Sequence, residues 1–116
     1  MTVKRIVANV AADNVASVQE FYSGLFGLDI LMDLGWIVTL GSGEAAAVQI
    51  SIASEGGSGT PVPDISIEVD DVEAVYATSR GLGHEIVYEL TTEPWGVRRF
   101  YVRDPAGKLI NILAHC

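Results

Sequence analysis

An internal repeat constrains this chain more than any other feature of its sequence. Residues 6–30, IVANVAADNVASVQEFYSGLFGLDI, read as strand, helix and strand, and residues 63–86, PDISIEVDDVEAVYATSRGLGHEI, have the same order. Asn14 corresponds to Asp71 at a shift of 57, and Gly27 corresponds to Gly83 at a shift of 56. A repeat of about half a domain is too long for a solenoid unit. It predicts two modules that complete each other's sheet, with a cleft where they meet.

A second pair of segments extends the repeat. VQI at 48–50 and INI at 110–112 are apolar-amide-apolar strand segments, each preceded by a turn at 42–45 or 104–107. Their common shift of 62 predicts that Gln49 and Asn111 occupy equivalent positions.

Hydrophobic periodicity predicts an α+β protein. The residues Asn14 and Asp71 are suitable N-caps for helices at 14–26 and 71–81. Strands are expected at about 4–11, 28–34, 36–41, 45–53, 62–69, 84–90, 97–103 and 108–114. Each half therefore reads βαβββ. We expect one domain over residues 1–116, with module 1 at about 1–54, a Gly- and Ser-rich linker at 55–62 and module 2 at about 63–116.

Composition excludes several classes of partner. The net charge of -8 repels phosphate backbones and anionic lipid surfaces, so we expect no nucleic acid and no membrane as partners. The longest apolar runs are far short of the ~20 residues that span a bilayer, and the N-terminus lacks a signal-peptide pattern. The single cysteine, Cys116, cannot form an internal disulfide. We therefore expect a cytoplasmic protein.

Three segments together resemble a known family. They are DNVASVQEFYSGLFGL at 13–28, DISIEVDDVEAVYA at 64–77 and EPWGVRRFYVRDPAGKLINIL at 93–113. They are similar to the glyoxalase/bleomycin-resistance/dioxygenase superfamily, also called vicinal oxygen chelate, over almost the whole chain. The resemblance implies two βαβββ modules that form an incomplete barrel around a ligand cavity, and a homodimer.

The resemblance also implies where a metal would bind. Metal-dependent members use His, Glu or Gln on the first and fourth strands of each module, which here are Val7, Gln49, Asp64 and Asn111. Val7 has no lone pair and two of the other three are neutral amides, whereas catalytic metal sites need imidazole or carboxylate ligands. His84 and His115 lie at none of these positions. We therefore predict no metal and no cofactor, and we assign no catalytic residues.

The polar positions that remain predict a ligand cavity. Gln49, Asp64 and Asn111 interrupt apolar strands, so they should face the barrel interior while Val48, Ile50, Ile65, Ile110 and Ile112 face the helices. Asn9 is in register with Val7 and should join them. Trp36 and Trp95 lie near loops, where a ligand ring can stack. The predicted ligand-binding residues are Asn9, Trp36, Gln49, Asp64, Trp95 and Asn111.

These residues favour noncovalent binding of an aromatic or cationic small molecule, because Asp64 is the single charged group among them. The main alternative is a lyase or isomerase, with or without a divalent metal, in which Asp64 acts as a base and Glu68 or Glu93 contributes. A third possibility is a partner-binding module that has lost its ligand. The alternating directions of strand residues let at most one or two of Arg98, Arg99 and Arg103 reach a cavity.

Overall fold

A computed structural model describes residues 1–43 and 49–116 of the chain. These residues form two compact units, one of residues 7–62 and one of residues 1–6 together with 63–116. The sequence pattern instead groups residues 1–6 with the first module. Part of the predicted strand at 45–53, the end of the turn at 42–45, and Val48 lie outside the described residues.

The described part of the chain contains two successive βαβββ modules. In order, the elements are β1 (Val3–Ala11), α1 (Val15–Phe26), β2 (Asp29–Asp33), β3 (Ile37–Gly41), β4 (Gln49–Ala53), β5 (Ile65–Val69), α2 (Val72–Gly81), β6 (Ile86–Thr92), β7 (Val97–Arg103) and β8 (Leu109–His115). The predicted α+β class and its repeated order of elements are confirmed. No helix in residues 1–43 or 49–116 has the length and apolar character needed to cross a membrane.

In the unit of residues 7–62, the strand order is β2-β3-β4-β1. The strand β1 is parallel to β4, and β3 is antiparallel to both β4 and β2. The side chain of Asn14 caps α1 by accepting a hydrogen bond from the Ser17 amide, and Gly27 ends the helix at a φ of 66°. The apolar face of α1 packs on one face of the sheet, where Val15, Val38, Leu40 and Ile52 form the core.

The second unit has the same plan, with the strand order β5-β8-β7-β6. The strand β5 is parallel to β8, and β7 is antiparallel to both β8 and β6. Asp71 caps α2 by accepting from the Ala74 amide at 3.0 Å. Its neighbour Asp70 accepts from the Thr2 amide at 2.7 Å, and this hydrogen bond holds the pKa of the Asp70 carboxyl below its ordinary value. The pair Asp70–Asp71 therefore anchors the backbone at two places.

Alternation along the strands gives each sheet two different faces. The predicted helix-facing positions Ile65, Ile110 and Ile112 pack with Val72 and Phe100 beneath α2. In the first unit Ile50 packs against the core under α1, as predicted. Residues at the alternate positions of the same strands must point away from the helices, and these include the polar candidates.

The parallel strand pairs fix how the two modules correspond. Ala8 on β1 lies opposite Ile50 on β4, and Ile65 on β5 lies opposite Ile110 on β8. The shift of 57 that aligns the two helix caps also aligns Ala8 with Ile65. Their partners must then be equivalent too, so Ile50 corresponds to Ile110.

This register corrects one expectation from the sequence. If Ile50 corresponds to Ile110, the counterpart of Asn111 is Ser51, and the predicted equivalence of Gln49 with Asn111 is wrong by two positions. The cores support the new alignment, since Ile50 and Ile52 in one module then match Ile110 and Ile112 in the other. The error arose because strand alternation fixes the face of a residue and not its position along the strand.

Candidate functional site

The polar candidates of the second unit lie on the sheet face opposite α2. Alternation places Ser66 and Glu68 of β5, Arg99 and Tyr101 of β7, and Asn111 of β8 on this face, which we call the polar face. Three of them, Arg99, Tyr101 and Asn111, are buried. Buried polar groups require partners, so each hydrogen bond here is informative.

A buried ion pair is the main polar contact of this face. Arg99 and Glu93 are only 3% and 5% exposed. The Arg99 Nη2 and Nε atoms lie 2.7 and 2.8 Å from Glu93 Oε2. The Tyr88 hydroxyl donates to the same carboxylate at 3.2 Å, and Arg99 Nη1 donates to the Tyr101 hydroxyl oxygen at 3.1 Å. Multiple charge-assisted bonds compensate for the loss of hydration of both ions.

Three aromatic rings surround the Arg99 guanidinium. Its central carbon lies 4.9 Å from the ring centroid of Trp95, 5.0 Å from that of Tyr101 and 5.3 Å from that of Tyr88. Each distance is within the range of a cation–π interaction. Trp95, a predicted ligand-binding residue, is therefore part of a packed cluster with the ion pair.

The ion pair also anchors the turn between β6 and β7. The Glu93 amide donates to the Val97 carbonyl at 2.7 Å, and the Gly96 amide donates to the Glu93 carbonyl at 3.3 Å. Gly96 has a φ of 90°, which a residue with a side chain rarely adopts. Because Glu93 is held by Arg99, the turn that carries Trp95 is fixed to the sheet.

Asn111 has a polar atom that the protein leaves unpaired. It lies opposite Ser66 on β5 and Tyr101 on β7, and it is 8% exposed. Its Nδ2 donates to Ser66 Oγ at 3.1 Å. Its Oδ1 is buried, and no donor in residues 1–43 or 49–116 reaches it. An unpaired buried acceptor of this kind requires an explanation.

The carboxylates of Asp64 and Glu68, just before β5 and within it, have partners. Asp64 lies just before β5 and is exposed; its Oδ2 accepts from the Leu109 amide at 2.8 Å, and its own amide donates to the Leu109 carbonyl. Glu68 pairs with Arg5 through Oε1 and with His115 through Oε2, both at 3.1 Å. Asp64 thus joins β5 to β8, and its predicted role as a ligand contact stays a prediction.

The first unit has a polar row formed by Thr39, Ser51 and Asn9 on three neighbouring strands. The hydroxyls of Thr39 and Ser51, both 4% exposed, form a hydrogen bond of 2.7 Å. Asn9 lies opposite Ser51 on the neighbouring strand, as its predicted register requires. Ser51 is the counterpart of Asn111, and here its hydroxyl has a side-chain partner.

The two remaining candidates lie at strand ends of this unit. Gln49 is the first residue of β4, half-buried and opposite Gly41. Trp36 is half-buried just before β3, and its carbonyl accepts from the Ser54 amide at 2.9 Å. Ligand binding by Asn9, Trp36 and Gln49 stays a prediction.

The positions that the family uses for a metal do not fit one in this chain. Val7 is buried and offers no donor atom. The Asp64 carboxylate accepts a hydrogen bond from the Leu109 backbone amide. The side chains of Asn111 and Gln49 are neutral amides. Within the described residues, no three His, Cys, Asp or Glu side chains are grouped so that they could hold an ion. We therefore derive no chemistry through a metal.

The sequence predicts Trp95 and Asn111 as ligand-binding residues, which stays a prediction, and gives no role to Tyr101 or to the contact of Arg99 with Glu93. Arg99 and Tyr101 share a face because they are two residues apart on one strand, and Tyr101 is opposite Asn111. The sequence assigns Glu93 only a contribution to the alternative lyase or isomerase chemistry. The available signal was the spacing of Glu93 and Arg99, opposite charges on either side of a short turn with tryptophan and glycine in it.

The repeated βαβββ plan defines a class of two-module α+β proteins. Residues 3–112 match the model of the Glyoxalase/Bleomycin resistance protein/Dioxygenase superfamily, and the chain belongs to this superfamily. No curated protein matches the chain in sequence.

Solved structures of low sequence identity share the fold. A protein described as NAD-dependent benzaldehyde dehydrogenase from Legionella pneumophila has a TM-score of 0.77 at 12% identity, over 97% of this chain and 100% of its own. A superfamily member from Vibrio splendidus 12B01 has 0.71 at 18%, over 97% and 99%. A variant of Streptomyces coelicolor methylmalonyl-CoA epimerase, in complex with 2-nitronate-propionyl-CoA, has 0.74 at 18%, over 99% and 96%. These likenesses show the fold alone.

Proposed function

We propose that this protein binds a small molecule, without a metal, on the polar face of the second unit. The observation that carries the proposal is the buried Asn111 Oδ1, which lacks a donor within the described residues. A ligand N–H or O–H that reaches this buried oxygen by displacing the groups that cover it would complete its hydrogen bonding. The Trp95 ring lies on the same face and would supply apolar contact to the ligand.

The energetics support a bound donor. A buried acceptor without a partner is unfavourable by about 1–3 kcal/mol relative to one that is satisfied. The first unit avoids this penalty at the equivalent position through its Thr39–Ser51 hydroxyl pair. A difference of this kind between two equivalent positions is typical of a functional site, where local stability is given up for binding.

The carboxylates already have partners within the protein, and this favours noncovalent binding over the lyase or isomerase alternative. Glu93 is paired with Arg99, Glu68 with Arg5 and His115, and Asp64 with a backbone amide. A general base must reach its substrate, and these contacts hold Glu93 and Glu68 against protein cations, whereas Asp64 is exposed. The net charge of -8 further disfavours a polyanionic ligand such as the CoA derivative bound to the Streptomyces coelicolor epimerase.

Replacing Asn111 tests the proposal. Saturation-transfer NMR with indole, phenol and benzamide should show that the protein binds at least one of these neutral aromatic donors. We expect Asn111→Leu to weaken that binding at least about tenfold, since the acceptor is lost. The thermal midpoint of the variant should stay close to that of the parent protein, because leucine removes the unpaired Oδ1 together with the hydrogen bond from Nδ2 to Ser66 Oγ.

Ser51→Ala at the counterpart position is the matched control, and it should leave probe binding unchanged. The proposal fails if none of the three probes binds, or if Asn111→Leu binds them as well as the parent protein does.

A separate prediction concerns metal content. Since Val7 provides no ligand and two of the four family positions are neutral amides, protein purified without chelators should contain far less than one transition metal per chain. Plasma emission spectrometry on the protein gives the ratio. About one zinc, nickel, iron or manganese per chain, with loss of thermal stability on addition of EDTA, would contradict the metal-free proposal.

The homodimer and the cytoplasmic location remain predictions. Large apolar side chains are exposed on α1 and β2 of the first unit, and a second copy that covers them would support a dimer. They include Phe21, Leu25, Phe26, Ile30 and Leu31. Sedimentation velocity at micromolar concentration would decide this point, since a clean monomer contradicts it.

A further inference from the structure

We infer that the ligand presents an uncharged N–H or O–H donor to Asn111, as a neutral aromatic amide, phenol or indole does. This inference rests on the proposed function and specifies the class of ligand. It depends on the pairing of two carboxylates of the polar face region, Glu93 and Glu68, with cations of the protein itself.

The first charge is neutralised within the aromatic cluster. Glu93 makes two contacts below 3 Å with Arg99, and both side chains are almost completely buried. A ligand cation would have to compete with a guanidinium that is bound on several sides, including hydrogen bonds with Glu93 and Tyr101. The carboxylate of Glu93 is therefore not an available counter-ion.

The second charge is neutralised on β5, where Glu68 lies opposite Leu113 in the same cross-strand row as Arg99. Glu68 has a side chain that is 15% exposed, and each of its oxygens has its own partner, Arg5 for Oε1 and His115 for Oε2. Arginine remains charged throughout the range in which proteins are stable. Glu68 therefore has at least one fixed positive partner at 3.1 Å.

The atom left to bind a ligand is neutral. Asn111 Oδ1 is an amide oxygen, and a buried cation would lose its hydration there without gaining a full counter-charge. An anion would be repelled by the lone pairs of this oxygen. A neutral donor loses little hydration and gains the missing hydrogen bond. The preference for cations expected from Asp64 is not favoured by this geometry, since Asp64 is exposed and bonded to Leu109.

Four compounds of nearly the same shape test the inference. Benzamide carries a neutral donor, benzamidine a positive charge, benzoate a negative charge, and acetophenone no donor. Binding is measured by ligand-detected NMR titration in about 0.3 M NaCl, which reduces the long-range effect of the net charge. We expect benzamide to bind at least about tenfold more tightly than each of the other three.

A charge change at Asn111 sharpens the test. Asn111→Asp replaces the amide by a carboxylate of the same shape, so benzamidine should bind this variant at least about tenfold more tightly than benzamide does. Asn111→Leu should remove the difference between benzamide and acetophenone. If the aspartate variant does not fold, the leucine variant still provides this comparison.

The possible failures can be told apart. If benzamidine binds the parent protein as tightly as benzamide, the inference of a neutral ligand is wrong and the proposed binding function stands. If benzoate binds the parent protein as tightly as benzamide, the ligand is an anion and the inference is also wrong. If none of the four compounds binds and indole and phenol do not bind either, or if Asn111→Leu binds all of them unchanged, the proposed function itself fails.

Discussion

Replacing Arg99 with alanine should lower the free energy of unfolding by about 3–5 kcal/mol, because the change leaves the buried Glu93 carboxylate without its cation. The loss is a large part of the roughly 5–15 kcal/mol that stabilises a typical domain. The substitution also removes the cation from among three aromatic rings. Urea unfolding followed by circular dichroism measures the change.

The adjacent arginine is a matched control. Arg98 forms an ion pair with Glu73 at 2.9 Å, close to the length of the buried pair, but the two side chains are 35% and 68% exposed. We expect Arg98→Ala to change stability by less than about 1 kcal/mol, since solvent screens exposed pairs. The double variant Glu93→Met/Arg99→Met should recover much of the loss. Equal effects of Arg98→Ala and Arg99→Ala would show that burial is not the cause.

The second large effect is expected at Phe100, in the core beneath α2. Phe100 has no exposed surface, and its ring meets that of Tyr76 edge to face at 5.0 Å between centroids. Phe100→Ala should lower the free energy of unfolding by about 3–5 kcal/mol, through lost burial and the cavity left behind. Thermal and urea unfolding both report this change.

Phe21 provides the comparison for this prediction. It is also a phenylalanine, on α1, but it is 58% exposed. Phe21→Ala should change the stability of the monomeric protein by about 0.5 kcal/mol or less, as is usual for surface positions. If Phe100→Ala is no more destabilising than Phe21→Ala, the core assigned to the second unit is wrong.

Much of the fold follows from local sequence signals. The caps Asn14 and Asp71 and the apolar periodicity predicted both helices, whose structural bounds differ from the expected ones by one residue or less at each end. The predicted strands overlap all eight strands in the described residues. The position of a segment along its strand could not be predicted in this way. The predicted equivalence of Gln49 and Asn111 is wrong because the two segments share a local pattern but differ by two residues in their register along the strand.

The site was predictable only in part, for a related reason. Strand alternation was enough to predict that Asn111 lies on the face opposite the helix. It could not show that its Oδ1 lacks a donor, because this depends on the positions of all surrounding atoms. Nor could it show that Arg99 and Glu93 meet, since their contact depends on the geometry of the β6–β7 turn. A sequence indicates the direction of a side chain more readily than its partners.

The hydroxyl pair Thr39–Ser51 has a consequence for how a doubled motif divides its tasks. Because the two hydroxyls bond to each other, the polar group of the first module has a side-chain partner at this position. The second module has an amide in place of Ser51, and its oxygen is a buried acceptor without a donor in the described residues. Two copies of one architecture thus differ in whether a buried polar group is paired, through the chemistry of a single pair of equivalent residues.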